Sequence, residues 1–203
     1  MIGALEDATG RPVSRETVER LNCFAALLRQ ENERQNLVSA ATLGSLWERH
    51  ILDSAQLVRF QPRAGASWVD IGSGAGLPGI VLACLVDGPV TLVEPRRLRG
   101  EFLQTVILKL GLPAHVVRAR AEGTTGSFDV ITGRAVASLS KFLDLSHHLS
   151  TKNTVWVLPK GRNAQSELAE AERTWQGVFH VEQSVTDADS RIVVGTGVRA
   201  RKR

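Results

Sequence analysis

Four glycines fall within eight residues, from Gly72 to Gly79, in the segment WVDIGSGAGLPGI at residues 68–80. Apolar residues precede and follow them, so the glycines join a predicted strand to a predicted helix. Glycine backbone bends sharply and carries no side chain, which lets a bound molecule approach the free amides at a helix start. The segment therefore predicts a cofactor site.

Two kinds of cofactor fit this spacing. Gly74, Gly76 and Gly79 match G-x-G-x-x-G, the pattern of dinucleotide sites. Asp70 to Gly76 match D-x-G-x-G-x-G, which resembles the first motif of methyltransferases that use S-adenosylmethionine (SAM). The backbone of Gly72, Gly74 and Gly76 is the predicted contact surface for SAM.

Two acidic residues separate these alternatives only in part. Asp70 ends the predicted strand that enters the loop, and its carboxylate would repel a pyrophosphate bound at the helix N-terminus. SAM has no phosphate and carries a sulfonium cation and an α-ammonium group, so an acidic neighbour suits it better. Glu94, at the end of the next predicted strand, can accept hydrogen bonds from both ribose hydroxyls of either cofactor. The residues favour SAM and leave the dinucleotide site open.

Further candidate residues follow the next two predicted strands. Ala121 and Glu122 lie where a SAM site usually holds adenine, through backbone amides and a nearby acid; a solvated loop is the alternative there. Arg134 follows the fourth strand, and the carboxyl ends of parallel strands face the crevice in which ligands of α/β folds bind. A salt bridge at the sheet edge is the other interpretation of Arg134.

Seven apolar runs predict strands, and helical patterns lie between the first five. Strands that alternate with helices indicate a parallel sheet between two helical layers. No helix separates the last two runs, which predicts an antiparallel pair at one edge. The predicted fold is α/β, with a seven-stranded, mostly parallel, Rossmann-like sheet as in SAM-dependent methyltransferases. The predicted strands are 68–71, 89–94, 114–119, 128–132, 153–158, 177–183 and 191–197.

The beginning of the chain has a helical pattern. Apolar residues at helical spacing predict a helix from Ser14, its N-cap, to residue 32. A second helix is expected after Thr42, and the segment QPRAGAS at 61–67 then separates it from the strands. We therefore predict two regions, a helical extension at 1–63 and a SAM-dependent methyltransferase domain at 64–203.

Composition narrows the class of protein. The chain of 203 residues is 43% apolar and 23% charged, as in an ordinary globular protein. Cys23 and Cys84 match no metal or redox spacing, so we predict no metal site and a reduced, cytoplasmic setting. No apolar run approaches the roughly 18 residues of a membrane span, so we expect no membrane partner. The net charge of +4 equals the charge of a short basic tail at 199–203, which is more simply a solvated terminus than a binding arm.

Six short motifs occur along the chain in a fixed order. They are NLVSA (36–40), WERHILDS (47–54), DIGSGAGLPGI (70–80), RAE (120–122), GRAVAS (133–138) and LPKG (158–161). Together they resemble the RsmG family, also called GidB, of 16S ribosomal RNA guanine-N7 methyltransferases, and the resemblance covers nearly the whole chain. Two positions depart from the family pattern: Gly133, where alanine or serine is usual, and Pro159, which interrupts Leu-Lys-Gly.

The resemblance implies an activity and a set of contacts. It implies transfer of the SAM methyl group to N7 of the guanine at 16S rRNA position 527, in the 530 loop of the small subunit. Carried over by motif, the implied SAM contacts are Gly72, Leu77, Ala121, Glu122 and Arg134. The implied partner is 16S rRNA or the 30S subunit, and nothing in the sequence requires more than a monomer.

This chemistry needs no catalytic pair. Guanine N7 carries an in-plane lone pair and no hydrogen, so its attack on a methyl group needs positioning rather than a general base. The enzyme must also stabilise the positive charge that develops on the purine. No side chain is a certain catalyst, and the candidates are Arg134 and Lys160.

Basic residues near the predicted crevice are candidates for RNA contact. Arg49 and His50 lie together after Thr42. An equal alternative is an Arg49–Asp53 pair at i, i+4, with His50 packed beside Trp47 and Ile51. Lys160 is a candidate for contact with phosphate or guanine O6, and Arg96, just beyond Glu94, is a further candidate for contact with RNA.

Two other functions stay open: a SAM-dependent enzyme acting on another RNA or a small molecule, and an NAD-binding module. Naked rRNA, an assembly intermediate and the 30S subunit all remain candidate substrates.

Overall fold

Seven strands form one sheet in the computed structural model, which describes residues 1–201. In chain order they are β1 (Trp68–Ile71), β2 (Val90–Val93), β3 (Ala114–Val117), β4 (Val130–Thr132), β5 (Val155–Lys160), β6 (Trp175–Gln183) and β7 (Arg191–Ala200). The spatial order is β3-β2-β1-β4-β5-β7-β6. The first five strands are parallel, and β7 runs antiparallel to both of its neighbours. The predicted fold class, the seven strands and the terminal antiparallel pair are therefore confirmed.

The strand order places a crevice at the centre of the sheet. From β1 the chain moves outward through β2 and β3, and it then returns to the other side of β1 to build β4 and β5. Loops that leave β1 and β4 therefore depart in opposite directions from the carboxyl edge, where α/β folds bind ligands.

Four helices precede the sheet: α1 (Ile2–Thr9), α2 (Arg15–Gln35), the short α3 (Ala40–Leu43) and α4 (Asp53–Ala55). The start of α2 is as predicted, because Ser14 Oγ accepts a hydrogen bond from the Thr17 amide at 3.1 Å. Helix α1 was not expected from the sequence.

The single second helix predicted after Thr42 is wrong. Helix α3 ends at Leu43, a π-helical segment occupies Trp47–Leu52, and a 3-10 turn at Gln56–Phe60 follows α4. Gly44 favours a helix end, and long-range contacts of the residues beyond it override the local helical period. Gln56, for example, donates from Nε2 to Ser184 Oγ at 3.0 Å.

The connections after β1 supply four more helices: α5 (Gly79–Leu85), α6 (Arg97–Leu110), α7 (Leu139–Ser146) and α8 (Ala164–Ala171). Helix α8 is shorter than the helical pattern of the sequence, which extends from residue 164 to residue 175. The reason is that Trp175 begins β6 and is 5% exposed, so burial against the sheet outweighs the helical pattern.

Apolar side chains pack on both faces of the sheet. On one face, Leu21 and Phe24 of α2 share a cluster with Trp68, Ile80 and Leu103. A second cluster, which includes residues of β4, β5 and α7, covers the other face. Burying one such side chain contributes about 1.5–3 kcal/mol, so the N-terminal helices are packed firmly against α5 and α6.

Candidate active site

The loop between β1 and α5 can be built only from glycine at several positions. Gly72, Gly74 and Gly76 have φ values of 71°, 51° and 85°. A Cβ atom at Gly76 would lie 2.6 Å from Ile80 Cγ1, and one at Gly72 would lie 2.9 Å from Val136 Cγ2. The glycines thus provide both the left-handed turns and the close packing of this loop.

A cavity of about 330 Å³, the glycine-loop cavity, opens beside this loop at the carboxyl ends of β1, β2 and β4. It brings together six of the residues singled out from the sequence. They are Gly72, Gly74, Leu77, Glu94, Arg96 and Arg134. Other residues that line it were not predicted to do so. Among them are Leu37 and Val38, which follow α2, and Arg99, Ala135 and Val136.

Glu94 is held in a fixed position at the floor of this cavity. Its Oε2 accepts a hydrogen bond from the Gly74 amide at 2.9 Å, and its Oε1 accepts one from the Arg96 amide at 2.8 Å. The residue is 3% exposed. Each carboxylate oxygen keeps a lone pair, so the side chain can still accept hydrogen bonds from a ligand with adjacent hydroxyls.

Asp70 lies beneath the loop and not in the cavity, which corrects its predicted direct contact with a cofactor. It is fully buried, and its Oδ2 accepts a hydrogen bond from the Gly79 amide at 3.0 Å. Burial raises the pKa of this carboxyl to about 7, although the hydrogen bond from the Gly79 amide opposes the shift. The nearby Ser73 hydroxyl donates to the main-chain carbonyl of Asp70 at 2.9 Å. Asp70 therefore ties the end of β1 to the start of α5.

Three other predicted cofactor contacts do not line the cavity. Gly76 is packed against Ile80 and Leu103. Ala121, which is 8% exposed, and the exposed Glu122 form a 3-10 turn after β3. Their contact with adenine stays a prediction.

Arg134 joins the N-terminal region to the sheet edge. Its Nη1 lies 3.5 Å from Asp53 Oδ2 and 3.2 Å from His50 Nδ1. Burial lowers the pKa of the guanidinium, and the carboxylates of Asp53 and Asp70 oppose this. The same side chain lines the glycine-loop cavity and two neighbouring cavities.

The partner of Asp53 is Arg134, so the alternative of an Arg49–Asp53 pair is wrong. Asp53 Oδ1 also accepts a hydrogen bond from Thr186 Oγ1 at 3.0 Å. Burial raises the pKa of Asp53, and the charge of Arg134 opposes that shift. Arg49 instead approaches Asp187, at 4.0 Å, and its side chain is 59% exposed.

His50 is a neutral acceptor and not a cation. A guanidinium only donates, so His50 Nδ1 accepts from Arg134 and Nε2 carries the hydrogen that is donated to Thr42 Oγ1 at 2.9 Å. Burial, followed by the charges of Arg134 and Arg49, lowers the pKa of His50 to about 4. His50 therefore orients Arg134, and its contact with RNA stays a prediction.

A second cavity of about 300 Å³, the Lys160 cavity, lies at the ends of β4 and β5 and the start of β7. Lys160 Nζ donates to the Ala137 carbonyl at 2.9 Å and pairs with Glu167 Oε2, also at 2.9 Å. Its side chain is 12% exposed. The charge of Lys160 is thus already balanced by the Glu167 carboxylate, and Lys160 lines this cavity.

The two departures from the family pattern lie close to these cavities. A Cβ atom at Gly133 would lie 2.8 Å from the Ile71 carbonyl oxygen and 2.6 Å from Phe142 Cε2, so this packing requires glycine. Pro159 lines the Lys160 cavity, and nothing in the structure explains it.

Asp53 and Glu167 are the site residues that sequence reasoning missed as partners of Arg134 and Lys160. Asp53 lies in the motif WERHILDS, which is the only signal that could have marked it. Glu167 lies in a polar helix without a recognisable spacing.

Within residues 1–201, no cluster of three or more His, Cys, Asp or Glu side chains could bind a metal ion. None of the helices in the same range is long and apolar enough to cross a membrane.

Solved structures of similar backbone show which fold the chain has. A TehB-like SAM-dependent methyltransferase from Corynebacterium glutamicum aligns with a TM-score of 0.58 at 16% identity, over 84% of this chain and 98% of that chain. A variant of MtNAS in complex with S-adenosylmethionine aligns with a TM-score of 0.59 at 18% identity, over 87% of this chain and 74% of that chain. The chain therefore has the Rossmann-like fold of SAM-dependent methyltransferases.

Sequence relatives define the family. A family model described as "GidB: rRNA small subunit methyltransferase G" matches residues 17–193. Two relatives, each named Ribosomal RNA small subunit methyltransferase G, are similar along most of their length. The protein from Erythrobacter litoralis is 49% identical over 189 residues, which cover 89% of this chain and 88% of the relative. The protein from Zymomonas mobilis is 44% identical over 199 residues, which cover 94% of this chain and 90% of the relative. The chain belongs to the rRNA small subunit methyltransferase G family, as its motifs predicted.

Proposed function

We propose that this protein transfers the methyl group of SAM to N7 of a guanine in the 530 loop of 16S rRNA. One structural observation carries the proposal: two cavities meet at Arg134 and Ala135 on the carboxyl edge of the sheet. One is suited to SAM and the other to an acceptor base. Family membership supplies the ribosomal RNA as the acceptor.

The glycine-loop cavity fits SAM better than a dinucleotide. A pyrophosphate needs free amides at the helix start. The Gly74 amide is already bound by Glu94, and the Gly79 amide by Asp70. A phosphate there would meet carboxylates, whereas the cations of SAM are compatible with them and the ribose can bind Glu94.

The residues of the chain position the reaction and remove no proton. SAM supplies an electrophilic methyl group, and the lone pair of guanine N7 accepts it without a base. Glu94 and the loop backbone hold the donor. Arg134 lies between the two cavities, where one N–H donor can bind guanine O6 and leave N7 free. No deprotonating group is needed, which agrees with the paired states of Lys160 and His50.

We propose the same oligomeric state, compartment and division into two regions as the sequence predicts. The protein acts as a monomer in the cytoplasm on the 30S subunit or its precursor. Its segment 1–63 is a helical extension whose residues Asp53 and His50 hold Arg134 for the domain at 64–203.

The direct test is the transfer of a labelled methyl group from SAM to unmodified 30S subunits, with the product mapped by cleavage at N7-methylguanine. Label at one guanine of the 530 loop is expected. Label at another nucleotide would overturn the assigned target, and NAD(H) binding that SAM does not displace would overturn the assigned cofactor.

A further inference from the structure

The Lys160 cavity is bordered by two ion pairs, Arg134–Asp53 and Lys160–Glu167. Arg134 and Ala135 also line the glycine-loop cavity, whereas Lys160 and Glu167 do not. The first pair therefore lies on the side of the methyl donor, and the second pair lies on the far side.

Glu167 is anchored through one of its two carboxylate oxygens. Its Oε2 accepts hydrogen bonds from the Leu139 amide at 2.8 Å and from Lys160 Nζ at 2.9 Å. In the described part of the chain, residues 1–201, no hydrogen bond uses Oε1, and the side chain is 28% exposed. Oε2 is thus fully used, whereas Oε1 keeps both lone pairs on a side chain that lines the Lys160 cavity.

The geometry of guanine matches this arrangement. N7 and the N1–H group lie on opposite sides of the carbonyl O6. If N7 faces the methyl donor, O6 faces the cationic side chains, and N1–H with the N2 amino group faces the far wall. The free oxygen of Glu167, Oε1, keeps two lone pairs and can accept from both of these donors, whereas adenine presents a lone pair at N1 and has no N2 amino group.

We infer that the Lys160 cavity is the pocket for the acceptor guanine and that Glu167 binds its N1–H and N2 amino groups. The inference rests on the proposed function and adds to it the residue that distinguishes guanine from adenine. Lys160 then serves mainly to hold Glu167 and to balance its charge when no base is bound.

The test compares guanine with inosine, which keeps N7, O6 and N1–H and lacks the N2 amino group. Unmodified 16S rRNA is assembled into 30S subunits with guanine or inosine at the target, and kcat/KM for methyl transfer is measured with the full-length enzyme. Wild-type enzyme is expected to prefer guanine by about 10- to 100-fold, as for loss of a hydrogen bond to a charged group. Equal rates on the two substrates would overturn the inference without the need for any variant.

The variant Glu167→Gln sharpens the test. Its kcat/KM on guanine is expected to fall about 10- to 100-fold, and its preference for guanine over inosine is expected to shrink to within about threefold. Glu170→Gln is the matched control, because Glu170 lies on the same helix and pairs with Arg173 at the surface. SAM affinity is expected to be the same in all three proteins.

The outcomes separate the two proposals. If Glu167→Gln keeps the full wild-type preference for guanine, the base-reading role of Glu167 is wrong, while methylation of guanine by the wild-type protein still supports the proposed function. If the wild-type protein methylates neither substrate, the proposed function fails, and the inference fails with it.

Discussion

Two carboxyl groups beside the glycine loop, those of Glu94 and Asp70, accept hydrogen bonds from backbone amides and are expected to have different roles. Glu94 is bound to the amides of Gly74 and Arg96 and still lines the glycine-loop cavity. Asp70 is bound to the Gly79 amide and lies out of reach of a ligand. At the scale of residues, the first should control cofactor affinity and the second should control pH-dependent stability.

Glu94→Gln tests the first role. The amide side chain loses one acceptor oxygen and its charge, so either an amide of the loop or a ribose hydroxyl loses its partner. We expect the Kd for SAM to rise by at least about tenfold, since hydrogen bonds to charged groups contribute about 1.5–3 kcal/mol. Isothermal titration calorimetry measures this change. Glu101→Gln, which alters an exposed pair with Arg97, is expected to leave the Kd unchanged. Equal SAM affinity of Glu94→Gln and wild type would contradict the assignment.

Asp70→Asn tests the second role. The pKa of Asp70 is raised from 3.8 to about 7 in the folded protein, so between these pH values the folded state binds more protons than the unfolded state. The stability from this group is therefore present at low pH and is lost as pH rises towards 7. We expect the free energy of unfolding of wild type, minus that of the variant, to fall across this range by at most about 1.4 kcal/mol per pH unit. The lowered pKa of His50 has the opposite effect but cancels, because both proteins contain His50. Urea unfolding at several pH values is the measurement, and a constant difference would contradict the prediction.

At the scale of elements, regular structure was predictable and the irregular segment was not. Each of the seven strands has a continuous apolar or alternating pattern, and Ser14 marks the start of α2 by its own chemistry. The segment between Leu43 and Phe60 is shaped by contacts with residues far along the chain, such as Gln56 with Ser184. Local pattern carries no information about such partners. Glu94 was predictable as a cavity residue because the end of a strand can be recognised from local sequence. The pairing of Asp53 with Arg134 was not predictable, because the two residues are far apart along the chain.

Asp53→Asn tests the ion pair between Asp53, in the segment from Leu43 to Phe60, and Arg134, which follows β4. Arg134 is only 21% exposed, and the substitution leaves its charge without the paired carboxylate. We expect a loss of about 1–3 kcal/mol in the free energy of unfolding and a fall of at least about tenfold in kcat for methyl transfer. Chemical denaturation and single-turnover kinetics measure the two effects. Asp187→Asn removes the charge of the more exposed partner of Arg49 and is expected to leave stability unchanged within the error of the measurement. If the two variants behave alike, Asp53 has no special role.

Ser14→Ala tests how far α2 depends on its cap. Loss of the hydrogen bond to the Thr17 amide should cost about 1 kcal/mol. Ser14→Asp keeps an acceptor and adds a favourable charge at the helix N-terminus, so it should retain wild-type stability. Thermal unfolding followed by circular dichroism compares the three proteins. A stable alanine variant would show that tertiary packing alone fixes the start of this helix.

At the scale of the whole molecule, net charge is a poor guide to where RNA binds. The formal charge of +4 equals the sum over the basic tail, of which Lys202 and Arg203 lie outside the described residues. The basic residues at the carboxyl edge of the sheet are more informative. Arg49 and Arg96 are both exposed there, and Arg96 lines the glycine-loop cavity. RNA that delivers a guanine to the Lys160 cavity must pass over this edge, so its phosphates should meet these arginines.

The salt dependence of binding distinguishes this edge from the rest of the surface. Each phosphate contact contributes about 0.7–0.9 to the slope of log Kobs against log salt concentration. Arg96→Gln is therefore expected to lower the slope for 30S subunits by about 0.7–0.9 and to weaken binding at low salt more than at high salt. Arg20→Gln is the matched control, because Arg20 lies on α2 and pairs with Glu16. Filter binding over a series of salt concentrations measures both slopes. An unchanged slope for Arg96→Gln would place the RNA elsewhere, whereas equal losses for both variants would indicate a diffuse attraction without a defined path to the cavity.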